Sequence, residues 1–121
     1  MPRFKQIFAA LSDNNRMDKV AMLSEILAQN PKDAFARYGL AMEYASRGET
    51  ETSLLEFSRL LTEHPDYTAG YFMAAQTLSK AGRHPEACQR LKEGIASATR
   101  ANNQHAMREM QAMLDELELL D

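Results

Sequence analysis

The sequence predicts an all-α protein of stacked antiparallel helix pairs, and three observations support this fold class. The chain repeats itself every 34 residues, since Pro31 returns as Pro65 and Gly48 returns as Gly82. Apolar residues follow a helical spacing, and no alternating β-pattern longer than a few residues competes with it. A fixed period of this size indicates supersecondary units that must stack, because one unit alone cannot bury its apolar face.

Start and stop signals divide the chain into seven predicted helices, with connections so short that neighbours must run antiparallel. Asn15 followed by Asp18 marks the start of the second helix. Asp33 is an N-cap candidate for the third, because a carboxylate can accept hydrogen bonds from the unpaired amides of a first turn. Thr50 is placed to cap the fourth helix after the turn at Gly48. The predicted ranges are 3–12, 16–30, 33–47, 50–64, 67–81, 84–100 and 103–120.

The last three helices carry equivalent signals. Asp66 follows a proline, as Asp33 does, and is the N-cap candidate of the fifth helix. Pro85 suits the first turn of the sixth, because its missing N–H would be unpaired there anyway. Asn102 marks the start of the seventh, whose apolar face consists of Met107, Met110, Leu114 and Leu117. Such a helix normally covers the exposed end of a helical stack.

The repeat resembles the tetratricopeptide repeat family in the order of its main positions. The family's first helix carries a small and then a large residue, which are here Ala41 and Tyr44, and a turn glycine follows at Gly48. The second helix again carries a small and a large residue, Ser53 and Phe57, and a proline closes the repeat at Pro65. One period later the first five return as Ala75, Leu78, Gly82, Ala87 and Leu91. Tyr71 matches the family's opening aromatic, whereas Arg37 stands at the equivalent place one repeat earlier. Thr99 replaces the closing proline of the last repeat.

This resemblance implies a right-handed superhelix of stacked antiparallel helix pairs with a C-terminal capping helix. It divides the single domain, 1–121, into a degenerate first repeat at 2–33, a second at 34–67, a third at 68–101 and the capping helix at 102–121. Terminal repeats of such arrays are expected to be atypical.

Composition and charge exclude several classes of function. The chain has 121 residues, enough for one domain, and 45% of them are hydrophobic, which excludes wholesale disorder. A net charge of −3 offers no basic excess for nucleic acid or an anionic membrane, and no stretch approaches a membrane span. Because Cys88 is the single cysteine, no internal disulfide can form, and we expect a reducing, cytoplasmic location.

No catalytic, cofactor-binding or metal-ligating set of residues is indicated. The three histidines, His64, His84 and His105, lack the i, i+4 pairing or the clustered carboxylates of a metal site. Cys88 falls at the same repeat position as Leu54, which predicts a small buried hydrophobe rather than a nucleophile. The glycines are scattered and form no phosphate-binding loop. We therefore expect a non-enzymatic protein without a cofactor.

The resemblance implies that the protein binds a partner on a concave face lined by the first helices of the repeats. That face is predicted to carry Phe4, Phe8, Phe35, Tyr38, Met42, Phe72 and Gln76. Three pairs among them are spaced i, i+4, so that each pair shares one helix face. Aromatic side chains anchor interfaces because they bring a large contact area at low entropic cost. The competing interpretation is that these side chains belong to the core.

The predicted face also bears on the kind of partner. Some members of the family bind the C-terminal carboxylate of chaperones through Lys and Asn or Arg, at positions that here hold aromatic residues, Met and Gln. We therefore expect a protein or peptide partner that offers an apolar helix or an extended apolar segment, not a clamped carboxylate. The alternative is a structural homo-oligomer, such as a homodimer, that uses the groove or the C-terminal helix for self-association.

Overall fold

Six α-helices make up residues 15–120, the part of the chain that this computed structural model describes, with side chains described from Lys19 onward. In chain order they are α1 (Asn15–Gln29), α2 (Ala34–Ser46), α3 (Thr50–Glu63), α4 (Thr68–Lys80), α5 (His84–Arg100) and α6 (Gln104–Leu119). Each begins and ends within one residue of its predicted range. The helix predicted at 3–12 lies outside the described residues.

The helices stack in sequence order, with alternate helices on opposite sides. Each packs against the next one along the chain, and the other close pairs among the described helices are α2 with α4 and α4 with α6. No such backbone contact joins α1 to α3 or α3 to α5 within this part of the chain. The stack therefore curves, with α2, α4 and α6 on its inner side and α1, α3 and α5 on its outer side.

The hydrophobic core lies between the two sides of the stack. Phe57 and Leu91, which occupy the same repeat position, are both completely buried, and Cys88 is buried as predicted. The predicted apolar face of the last helix is also confirmed, since Met110, Leu114 and Leu117 are buried and Met107 is half-buried. α6 therefore covers the last helix pair.

The helix starts agree with the predictions only in part. Asp33 caps α2, because its Oδ1 accepts a hydrogen bond from the Ala36 N–H at 2.9 Å. The prediction for Asp66 is wrong, since Tyr67 immediately precedes α4 and no side chain caps that helix. Tyr67, and not Asp66, lies one period after Asp33, so the repeat register places a non-capping residue there. Asp66 instead accepts a hydrogen bond from Nη2 of Arg100 at 2.9 Å.

Two further capping predictions are wrong by one residue. Thr50 is the first residue of α3, and Glu49 occupies the N-cap position without a side-chain bond. Asn102 has a φ of 55° and ends the preceding helix, while Asn103 caps α6 by accepting from the Ala106 N–H at 3.1 Å. Asn adopts the left-handed conformation more readily than most residues with a Cβ. Two consecutive asparagines can therefore end one helix and start the next.

In the second and third repeats, the side chain at the opening position forms a hydrogen bond with the carbonyl of the preceding proline. In the third repeat, the Tyr71 hydroxyl donates to the Pro65 carbonyl at 2.7 Å. In the second, Arg37 does the same, with its Nη2 donating to the Pro31 carbonyl at 3.0 Å. The Arg37 Nη1 also donates to Oε2 of Glu56 at 2.8 Å, and this ion pair is nearly buried. Arg37 thus replaces the polar function of the aromatic residue and adds a charge pair to it.

Gly94 allows three helices to approach one another closely. A Cβ added at this position of α5 would lie 2.5 Å from Sδ of Met110 in α6 and 2.6 Å from Cβ of Tyr71 in α4. The second contact is the more restrictive, because a Cβ atom cannot move without its backbone. The close packing of α4, α5 and α6 therefore requires glycine here.

Gly94→Ala should destabilise the protein by about 1–2 kcal/mol, because overpacking outweighs the gain in helix propensity. Gly39→Ala is the matched control, since Gly39 also lies inside a helix and a Cβ there meets only Leu23 methyl carbons at 3.2 and 3.3 Å. The control should leave stability unchanged or raise it by up to about 1 kcal/mol. Urea unfolding followed by circular dichroism measures both, and equal behaviour of the two variants would contradict the tight packing at Gly94.

Candidate protein-binding groove

Three neighbouring depressions lie on the inner side of the stack and share lining residues. One, of about 380 Å³, lies between α2 and α4, and two, of about 230 and 460 Å³, lie between α4 and α6. Phe72 lines both depressions beside α6, and Gln76 lines one of these together with the depression beside α2. These two side chains link the depressions into one surface, which we call the inner groove.

Three of the residues predicted from the sequence meet in the inner groove. Met42 and Gln76 line the depression between α2 and α4, and Phe72 follows Gln76 towards α6. All three are half-buried, and Met42 and Phe72 also pack against the core. Each therefore has one side that supports the fold and another that a partner could contact.

Tyr38 is more a part of the core than the sequence suggests. Its ring packs edge-to-face on Phe57 at a centroid distance of 6.5 Å and lies 5.2 Å from the ring of Tyr67. Burial raises the pKa of Tyr38 above its ordinary value, and the neighbouring Tyr67 adds to the shift. None of the three depressions is lined by Tyr38. Alanine at this position would remove an aromatic contact to the core as well as any contact to a partner.

The remaining predicted residues do not join this set. Phe35 is 75% exposed at the start of α2 and lines none of the three depressions. Phe4 and Phe8 lie outside the described residues. The pairing of aromatics across three successive inner helices therefore stays a prediction, and α2, α4 and α6 supply the groove that the structure describes.

One wall of the inner groove comes from α6, which the sequence predicts as a capping helix or a surface for self-association but not as part of the groove. This α6 wall consists of Glu109, Ala112, Met113 and Glu116. Counting every 34 residues misses it, because α6 begins at Gln104, 36 residues after the start of α4 at Thr68. The signal is nevertheless present, since these residues lie on the helix face that flanks Met110, Leu114 and Leu117.

Within residues 15–120 nothing resembles a metal site, since no group of three or more His, Cys, Asp or Glu side chains could hold an ion. No helix of that range is both long and apolar enough to cross a membrane.

Comparisons with known proteins agree with this architecture. No protein-family model matches the chain. A TPR repeat-containing protein of Pseudomonas aeruginosa is 28% identical over 96 residues, which are 79% of this chain and 91% of that protein. A tetratricopeptide repeat domain protein from Salinibacter ruber, solved by NMR, is 27% identical with a TM-score of 0.71, over 76% of this chain and 93% of that one.

A third similarity concerns the fold alone. The type III secretion chaperone SycD of Yersinia enterocolitica, solved with a peptide of the translocator YopD, has a TM-score of 0.79 and 16% identity. The match covers 98% of this chain and 95% of the chaperone. Paired helices in sequential stacks, with a groove on the inner side, define a helical repeat protein. The order of the repeat positions and the likeness to the Pseudomonas and Salinibacter proteins show that the chain resembles tetratricopeptide repeat proteins.

Proposed function

We propose that this chain is a non-enzymatic protein-interaction module that binds a peptide, a helix or a protein segment in the inner groove. The observation that carries the proposal is that Phe72 and Gln76 each line two of the three neighbouring depressions. Helical stacks of this kind present extended concave surfaces, and such surfaces bind partners along their length. A Cys88 thiol buried in the core suits the reducing conditions of the cytoplasm.

The lining of the groove favours an apolar partner segment. Met42 and Met73 line the depression beside α2, Met113 belongs to the α6 wall, and Phe72 lies between them. Methionine side chains are flexible and polarizable, so that they adapt to differently shaped apolar groups. SycD, whose fold is similar, has been solved with a peptide of its translocator, which supports the choice of a polypeptide ligand.

Ala112→Arg should weaken peptide binding by at least about tenfold, because a long charged side chain would occupy the larger of the two depressions between α4 and α6, which Ala112 lines. Ala112 is exposed on α6, so the substitution should leave the melting temperature nearly unchanged. Peptides are first selected from a random displayed library on the parent protein. The dissociation constant of the best one is then measured by fluorescence anisotropy for parent and variant.

Ala96→Arg is the matched control for this experiment. Ala96 is an exposed alanine of α5, on a helix of the outer side, and it lines none of the depressions of the inner groove. We expect this variant to bind the selected peptide as the parent does. If Ala112→Arg binds equally well while folded, the peptide does not use the inner groove.

Self-association is the second candidate function, and one observation favours it. Leu119 and Leu120, at the end of α6, are 85% and 69% exposed, which leaves two adjacent apolar side chains in solvent. Light scattering across a concentration series distinguishes the two functions. A monomer at all concentrations supports an interaction module with an open groove, whereas a dimer that Leu119→Lys dissociates supports the structural alternative.

A further inference from the structure

The charges along the inner groove are distributed unequally between its walls. The part of α2 that lines the groove carries Met42, Ala45 and Ser46, none of which is charged. The α6 wall carries two carboxylates, Glu109 and Glu116, one turn to either side of Ala112. On α4, Lys80 lies at the C-terminal end of the helix and lines only the depression beside α2. The groove is therefore acidic along α6.

These two carboxylates are available to a ligand. Among the described residues, the Glu116 side chain has no hydrogen bond or ion pair. Glu109 lies 3.1 Å from Nε2 of His105, an exposed ring that is a cation only when protonated, and its side chain is 49% exposed. Neither carboxylate takes part in a buried ion pair, as Glu56 does with Arg37.

The C-terminal end of α6 adds to the negative charge of Glu109 and Glu116. No basic residue lies in the last turn of the helix, while Asp115 and Glu118 add charge near Glu116. A helix C-terminus carries partial negative charge from its unsatisfied carbonyl groups, and acidic side chains there add to it. The apolar groove thus ends in a strongly acidic edge along one wall.

We infer that the partner of the inner groove is an amphipathic segment that carries at least one Lys or Arg towards Glu109 and Glu116. Apolar contacts with Phe72 and the methionines supply affinity but fix the direction of a bound segment only weakly. Complementary charge across an interface sets register and excludes wrong partners. The α6 wall therefore selects among apolar segments, and this inference rests on the proposed function of the groove.

A random displayed peptide library tests the inference directly. Selections are run in parallel on the parent and on the double variant Glu109→Gln/Glu116→Gln, which keeps the side-chain size and removes both charges. Peptides selected on both proteins should be rich in apolar residues, and only those selected on the parent should be enriched in Lys and Arg. Apolar binders without basic enrichment on the parent would overturn this inference while leaving the proposed function intact. If no peptide is enriched on either protein, the proposed function fails as well.

A matched pair of single substitutions tests which carboxylate of α6 contributes to the binding of a basic peptide. Glu116→Gln should weaken binding of the best basic peptide by up to about fivefold at low ionic strength, the upper end of the effect of an exposed ion pair. Glu118→Gln makes the same chemical change two residues away, outside the lining of the groove, and should leave binding unchanged. Added salt should reduce the difference between parent and Glu116→Gln. Equal weakening by both variants would mean that only the net charge matters and would overturn the assignment to the α6 wall.

A second copy of this chain is the other occupant to be tested. Sedimentation of the parent and of Phe72→Ala at the concentrations used for binding distinguishes it. We expect monomers in both cases. A dimer of the parent that the Phe72 substitution dissociates would show that the groove is filled by another copy, and the inference about a basic partner segment would then be wrong.

Discussion

Arg37→Met should lower the free energy of unfolding by about 3 kcal/mol, because it leaves the Glu56 carboxylate buried without its close partner. The side chains of Arg37 and Glu56 are only 13% and 10% exposed. Arg59 remains 3.7 Å from the other carboxylate oxygen, which limits the loss to the lower end of the range for broken buried pairs. The substitution also removes the hydrogen bond to the Pro31 carbonyl.

The double variant Arg37→Met/Glu56→Met tests the reason for the loss. Replacing both members of a buried ion pair by apolar residues is often neutral or stabilising, so we expect most of the stability to return. Arg100→Met is the matched control, since Arg100 also contacts a proline carbonyl and a carboxylate, Pro65 and Asp66. That pair is largely exposed, and its loss should cost at most about 1 kcal/mol. Urea unfolding curves measure the free energy of unfolding of all three variants. If the double variant is no more stable than Arg37→Met, the unpaired Glu56 carboxylate is not the cause of the loss.

Leu60→Ala should cost about 2–5 kcal/mol, because Leu60 is completely buried and its removal leaves a cavity between α3 and α4. The space beside Gly70 is already filled by Leu60, since a Cβ on that glycine would lie 2.9 Å from its Cδ2. Leu55→Ala is the same change on the same helix, at a side chain that is 53% exposed. It should cost well under half as much, as measured by the same unfolding experiment. Equal losses would mean that burial at Leu60 does not determine the stability of α3.

The repeat period predicts the fold well because equivalent positions in successive helix pairs have the same backbone conformation and the same burial. Gly48 and Gly82 share a φ of 77°, Phe57 and Leu91 share complete burial, and the helix ranges follow from these positions. Capping is less predictable, because any residue can precede a helix if water or the backbone satisfies its first amides. Tyr67 stands where Asp33 stood one period earlier, and α4 forms without a cap.

The candidate groove is predictable only where the period holds. Met42, Phe72 and Gln76 lie in the first helices of regular repeats, and the structure brings them together. The repeat period does not predict the α6 wall. α5 continues to Arg100, so that α6 begins two residues later than a 34-residue period would place it. Tyr38 has helical spacing with Met42, but spacing alone does not reveal that its ring packs on Phe57.

The sequential stacking of the helices has a consequence for how the chain acquires its structure. Every close contact among the described helices joins neighbours or next neighbours along the chain, so few contacts require distant segments to find each other. Chains with such low contact order fold rapidly, because little loop-closure entropy opposes the first contacts. Each helix can therefore begin to pack against its predecessor during synthesis, soon after it leaves the ribosome, and α6 follows the other described helices in this order.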